Sequence, residues 1–297
     1  MKSFRVNFTK STTAFARQKS LRLALQTVFT LTIFVTMEIN AQVRVAPLAL
    51  YLNEQERTGR IIVENTANES RLIELSVRFG YPVSNEQGTI SMLYKDTVDV
   101  DDPSAAAWIR FYPQRLVLPP GAQQTIRFAV RPPAHVPDGE YWARPIIASR
   151  AVNSESENLP KVKDGITASI GIVYQTVISV NYRQGKVQTG VEIRDLQVRK
   201  GIGTLVVLAD LARVGNAAYL GNMRVRLLNR RGTVVRETAN EIAVYRTMRR
   251  RVEVAIGNLP AGSYTIELEL NTNRQGNTPG DILQAKPVTK TVAVTIP

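Results

Sequence analysis

The 297-residue sequence contains no cysteine and a single histidine, His135. Without cysteine there is no thiol nucleophile, no disulfide framework and no Cys-ligated zinc or iron–sulfur site. One histidine excludes a His-rich metal site and restricts any Ser–His machinery to His135. That residue stands in Pro132-Pro133-Ala134-His135-Val136-Pro137, and no Gly-x-Ser-x-Gly elbow accompanies it. It therefore reads as a turn residue, not a general base. Phosphate-cradling and dinucleotide motifs are also missing. The acidic group Asp96, Asp99, Asp101 and Asp102 lacks the glycine and terminal glutamate of a calcium loop, so a solvated acidic loop is expected. The sequence implies no cofactor and no metal.

Long hydrophobic runs are scarce as well. The one apolar stretch, Leu21 to Met37, is interrupted near its start by Arg22 and Gln26. Its unbroken core falls short of the ~20 residues of a spanning helix. It follows Lys2, Arg5, Lys10, Arg17 and Lys19 and leads to Ile39-Asn40-Ala41. A basic start, a short apolar core and a small residue at the cut describe a cleaved export signal, residues 1–41. An uncleaved anchor is the alternative. The rest of the chain is expected to be soluble.

Charge of one sign is unevenly spread. The whole chain carries +13, but residues 42–182 hold 14 basic and 15 acidic groups, whereas 183–297 hold 18 and 9. Arg224, Arg226, Arg230, Arg231, Arg236, Arg246 and Arg249–Arg251 crowd the second half. For an exported chain, an anionic membrane surface or an acidic protein suits this half better than nucleic acid, and one solvated face is the plain alternative.

Past residue 42 the chain reads as strands. Arg60–Glu64 and Leu72–Val77 are short β-rich runs separated by a turn-forming cluster, and Thr125–Val130 alternates polar and apolar residues. No amphipathic helix of ordinary length is evident. An internal echo sets the domain count. Val136-Pro137-Asp138-Gly139-Glu140-Tyr141 is matched by Leu259-Pro260-Ala261-Gly262-Ser263-Tyr264. Each turn leads to an apolar strand, a polar loop and a last strand, Ile166–Tyr182 or Val288–Ile296. A tyrosine tied back to the backbone is common at this place in immunoglobulin-like sandwiches, a role that fits Tyr141 and Tyr264. The expected fold is all-β: two tandem immunoglobulin-like sandwiches, 42–182 and 188–297, joined by 183–187.

Ile166–Tyr182 is far longer than a usual strand of 5–6 residues. One phase reads Ile166, Ala168, Ile170, Ile172, Tyr174; around Val173–Val180 both phases are apolar. A strand overrunning its sandwich exposes a row of backbone donors and acceptors beside an apolar ladder, which is hazardous unless a partner uses it. The two readings are an edge lent to another protein's sheet and a long strand closing its own.

Four stretches resemble the PapD-like family of periplasmic pilus-assembly chaperones. They are Gly59–Asn65, Tyr112–Gly121 with its Pro-x-x-Leu-x-x-Pro-Pro-Gly, Thr125–Phe128, and Gln175–Arg183. The resemblance is good over 43–183 and weak over 188–297. It implies a non-enzymatic periplasmic chaperone that lends a strand to a secreted pilus or fimbrial subunit and hands it to an outer-membrane usher. Ile170, Ile172 and Tyr174 match the donor residues. Arg183 matches an arginine that orients the two domains through acidic partners, with Asp138 as the expected partner. The family's basic pair for the client's terminal carboxylate is not retained; the matching positions are Ala49 and Ser179. A structural or adhesive surface protein with sandwich spacers is the main rival, and a small-ligand binder or enzyme a lesser one.

Overall fold

The computed structural model describes residues 42–152, 171–274 and 280–296. The export signal 1–41 and Ile170 lie outside the described residues. Alternation of apolar and polar residues builds the elements. In β3 (Thr58–Asn65), Ile61 and Val63 turn inward while Arg60, Ile62 and Glu64 turn outward. In β8 (Gln123–Val130), Ile126, Phe128 and Val130 turn inward. These strands form a four-stranded sheet with β1 (Val43–Ala46) and β6 (Ile109–Tyr112), in the order β1-β3-β8-β6.

The facing sheet runs β2 (Ala49–Asn53), β11 (Ser179–Gln184), β9 (Gly139–Ala151), β4 (Arg71–Ser84), β5 (Ile90–Lys95). Beside it, β10 (Tyr174–Val177) pairs with β9, and β7 (Arg115–Leu118) with β4. Pairing of β11 with β2 is parallel; its pairing with β9 is antiparallel. Between these sheets lies a core that includes Ile61, Ile73, Ile126, Phe128, Ile147, Ile178 and Tyr182.

A second sandwich follows. One sheet is β12 (Thr189–Lys200), β13 (Thr204–Gly215) and β16 (Thr247–Ala255). The other runs β15 (Val234–Val244), β14 (Tyr219–Leu228), β17 (Gly262–Asn271), β18 (Val288–Ile296). Met223, Val225 and Leu227 of β14 and Ile266, Leu268 and Leu270 of β17 fill its core. The fold is therefore all-β with two tandem sandwiches. One 3₁₀ turn, Ala106–Trp108, interrupts the strands of the first sandwich.

The internal echo extends to backbone geometry. Tyr141 Oη donates to the Pro137 carbonyl at 2.9 Å, and Tyr264 Oη to the Pro260 carbonyl at 2.8 Å. Among the described residues, His135 (φ 62°) and Asn258 (φ 64°) are the non-glycine residues with left-handed backbone, and each lies two residues before its turn's proline. His135 thus opens the turn that places Tyr141, and is exposed.

The long last strand of the first sandwich differs from expectation. Within the described residues, 171–173 are not strand, and the pairing is interrupted once, at Ile178. The cause is opposite it: Val177 faces Ile146 and Val180 faces Ala143, so Ile178 faces Pro145. Proline has no N–H to give the ladder. One bond survives, from the Ile178 N–H to the Pro145 carbonyl at 3.0 Å, and the register passes through unshifted.

Candidate functional site: an open edge and a donor-rich cleft

β10 carries the first element of the site. Among the described residues its ladder runs along β9 alone, from Tyr174 opposite Ser149 to Val177 opposite Ile146. Its other edge has no ladder partner among the described residues. Ile172 (58% exposed), Val173 (52%), Tyr174 and Val177 present apolar surface there. The strand is held at both ends. Ile178 is buried in the core, and the Tyr174 ring lies 5.6 Å from the guanidinium of Arg71. Arg71 is itself fixed by bonds to Ser149 Oγ (3.1 Å) and by an ion pair with Glu69 at 2.8 Å. An open ladder edge with exposed apolar side chains is a template for another strand. Tyr174 lies on it, and Ile172 lies two residues before β10 begins.

The second element sits where β2, β11 and β9 run side by side. Ser179 is directly opposite Ala49 in the parallel pair. On its other side the register places Arg144, whose Nη1 donates to Ser179 Oγ. Ala49, Ser179 and Arg144 thus form one row, and the two small residues leave room for the long one. Arg144 is 5% exposed. Its guanidinium lies 4.9 Å from the Tyr245 ring centroid, and no carboxylate among the described residues pairs with it. Ser179 Oγ donates onward to Asn181 Oδ1 at 3.2 Å. Asn181 Nδ2 and Trp142 Nε1 are buried and have no hydrogen-bond partner among the described residues, and Trp142 packs on Tyr245 with centroids 4.7 Å apart. The cluster is rich in donors and poor in acceptors. An anionic group entering it would satisfy donors that now carry a desolvation cost. The sequence does hold a signal for Arg144: it is the one charge inside the apolar run Tyr141–Ala148.

The third element fixes one sandwich against the other. Phe79, Tyr81 and Trp142 of the first sandwich form a buried cluster with Ala218, Leu220, Tyr245 and Ile282 of the second. Arg183 Nε donates to Glu140 Oε2 at 3.0 Å, its Nη1 donates to the Gly280 carbonyl at 2.8 Å, and its Nη2 to the Asp281 carbonyl. Its guanidinium also lies 5.1 Å from the centroid of the Tyr51 ring, whose hydroxyl burial pushes up to about 12. Glu140 is 1% exposed and also accepts from the Ala218 N–H at 3.4 Å. Burial raises its carboxyl above the ordinary value, against the downward pull of Arg183. The acidic partner of Arg183 is therefore Glu140, and the expectation of Asp138 is corrected. Asp138 holds the connector instead: its Oδ2 accepts from the Lys186 N–H at 3.0 Å. Its carboxylate lies so close over Gly185 (φ 59°) that a Cβ there would meet Asp138 Oδ1 at 1.9 Å. Only glycine suits that position.

The acidic loop is not simply solvated, which corrects a further expectation. Asp102 is 8% exposed. It pairs with Lys95 at 2.5 Å and, across the seam, with Arg246 at 2.5 Å. Burial pushes its carboxyl up, but Lys95, the Asp99 N–H and Arg246 bring it below its ordinary value. Nearby, Arg249 of β16 grips Asp210 with both nitrogens (2.6 and 2.7 Å) while its N–H donates to Ser84 Oγ at 2.6 Å. Much of the basic second half is likewise compensated. On β14, Arg224 pairs with Glu237, and Arg226 with Glu267 and Glu269.

No protein-family model matches the sequence, and no curated protein matches it. Similar solved structures include the YadV chaperone, 10% identical with a TM-score of 0.42, covering 85% of this chain and 100% of that one. Another is the CsuC–CsuE chaperone–tip adhesion subunit pre-assembly complex from the archaic chaperone-usher Csu pili of Acinetobacter baumannii, 13% identical, TM-score 0.42, covering 84% and 98%. A third is the Salmonella enterica SafA pilin in complex with the SafB chaperone, 12% identical, TM-score 0.39, covering 84% and 96%. At these identities the likeness assigns no residue of this chain a role.

Proposed function

We infer that this protein is a non-enzymatic chaperone of the periplasm, reached through the export signal 1–41, which stabilises a secreted pilus or fimbrial subunit by lending it the free edge of β10. The observation that carries the reading is that edge: one flank paired to β9, the other without a ladder partner among the described residues, with Tyr174 and Val177 exposed on β10 and Ile172 and Val173 exposed just before it. A subunit lacking one strand would gain ladder bonds and cover these side chains. Partly exposed residues of this size contribute about 1 kcal/mol each on full burial, which adds to the ladder bonds in offsetting the ordering of a short segment.

The Arg144 cluster supports the same reading from the client's side. The family's basic pair is replaced by Ala49 and Ser179, yet Arg144 lies across that row with Asn181 and Trp142 beside it. A chain-terminal carboxylate would accept charge-assisted bonds from this cluster. The capped subunit would then pass to an outer-membrane usher.

The test is co-expression with candidate secreted fimbrial subunits followed by pull-down. Ile172→Asp and Tyr174→Asp together should abolish capture while leaving the protein folded, since neither side chain belongs to the buried core. Normal capture by the double variant refutes strand donation through this edge, and no capture by the unaltered protein favours the adhesive-spacer alternative.

A further inference from the structure

Three turns meet at the end of the second sandwich farthest from the first. They are the β12–β13 tip (Gly201, Ile202, Gly203), the β14–β15 turn (Asn229–Thr233) and the β16–β17 connection (Ile256–Ala261). The Ile256 N–H donates to the Gly203 carbonyl at 3.0 Å, Arg236 Nη2 to the Gly257 carbonyl at 3.2 Å, and Arg230 Nη2 to Ser263 Oγ at 3.4 Å. They therefore form one continuous surface. β13 runs from this end to Gly215, beside Asn216, whose carbonyl accepts from the Glu140 N–H of the first sandwich at 3.0 Å. Its 12 residues place the two ends roughly 35–40 Å apart.

The composition of this surface is unlike that of the β14 face. Ile202 is 103% exposed and Val234 43%. Around them stand Arg199, Lys200, Arg230 and Arg231, all exposed, and Arg236, half-buried. None of these five cations has an ion-pair partner among the described residues. The segments 197–204, 228–236 and 254–263 contain no aspartate or glutamate. On β14, Arg224 and Arg226 are neutralised by cross-strand glutamates; here the five cations are not.

We propose that this distal end docks on an anionic phospholipid bilayer, with Ile202 entering the headgroup region and the five cations contacting lipid phosphates. A cationic ring alone would suit any polyanion. A fully exposed isoleucine at the apex of a tight glycine-flanked tip, with cations on its own strand and on the neighbouring turn, suits a surface that is charged outside and apolar beneath. Docking at this end leaves β10 and the Arg144 cleft, on the other sandwich, free. The proposal is independent of client capture.

The experiment is sedimentation of residues 42–297, which contain every described element and all three cores, with two kinds of vesicle. One kind is phosphatidylcholine alone; the other is phosphatidylcholine mixed with phosphatidylglycerol. Binding to the mixed vesicles only, lost at high salt, is expected. Lys200→Glu and Arg230→Glu should each weaken it by at least about fivefold, the effect of one cation near such a surface. Ile202→Ser, which keeps every charge, should weaken it roughly fivefold or more. Circular dichroism and client pull-down should be unchanged in all three. Absence of binding to the mixed vesicles overturns the proposal. So does unaltered binding by Ile202→Ser alongside loss in the charge variants, which would mark the surface as a site for soluble polyanions.

Discussion

Arg183 and Glu140 offer the sharpest test of how the two sandwiches are held. Arg183→Ala removes the pair to Glu140 at 3.0 Å, two bonds to the 280–281 backbone and the stacking on Tyr51. Glu140 would be left 1% exposed at best with one bond, to the Ala218 N–H. Leaving a buried charge uncompensated costs ~3–5 kcal/mol, more than the pair itself contributes. The cost should depend on pH with a definite sign. Burial already raises the Glu140 carboxyl in the native protein, and loss of Arg183 raises it further. A carboxyl raised on folding binds more protons in the native state than in the unfolded one. Its contribution to stability is therefore fully present below the unfolded value and is lost as pH rises through the folded value. The variant should be most damaged near neutral pH and recover as pH falls toward 4.5, the ordinary value. Urea denaturation across pH reads both quantities. Arg183→Met with Glu140→Leu, which removes both charges, should recover much of the loss. A cost below about 1 kcal/mol for Arg183→Ala near neutral pH, or a cost independent of pH, refutes the argument.

Two further outcomes follow from the same geometry. Asp102→Asn should destabilise by about 1–3 kcal/mol, because Asp102 is nearly buried and serves both Lys95 and Arg246; in the native protein its contribution should be lost as pH falls below 3.8 through its lowered folded value, in acid unfolding followed by tryptophan fluorescence. Arg144→Met should leave thermal stability unchanged or raise it while weakening client capture at least about tenfold, since it exchanges an unpaired buried charge for an apolar chain; a loss of stability with normal capture would make Arg144 a structural residue only.

How much of this was legible in the sequence depends on the range of the interaction. The strands were readable because alternation is local: Thr125–Val130 and Val288–Ile296 lie within β8 and β18. The tyrosine ties were readable because donor and acceptor are four residues apart. The break at Ile178 was not, because its cause, Pro145, lies 33 residues away in sequence. Glu140 was passed over for Asp138 because both are near Arg183 in the turn and only burial distinguishes them. Asp102 looked like one of four solvated acids; its partner Arg246 is 144 residues later. Arg144 alone left a trace, as a charge in an apolar run.

Two arginines, the half-buried Arg183 and the buried Arg144, separate structure from function by their partners. Arg183 is saturated: a carboxylate, two carbonyls and a ring account for its guanidinium. A residue so satisfied gains nothing from a ligand, and its work is to hold one sandwich on the other. Arg144, 5% exposed, has a hydroxyl and a ring, and around it Asn181 Nδ2 and Trp142 Nε1 have no hydrogen-bond partner among the described residues. Selection for stability alone removes such an arrangement, because an apolar residue of equal size would pack there at no electrostatic cost. The Arg144 cluster therefore carries a cost in the free protein that a bound anion would relieve, and the edge of β10, which has no second ladder partner among the described residues, carries another that a bound strand would relieve. Both costs fall in the first sandwich, whose net charge is close to zero, and both vanish in the same event if one client supplies a strand and a terminal carboxylate together.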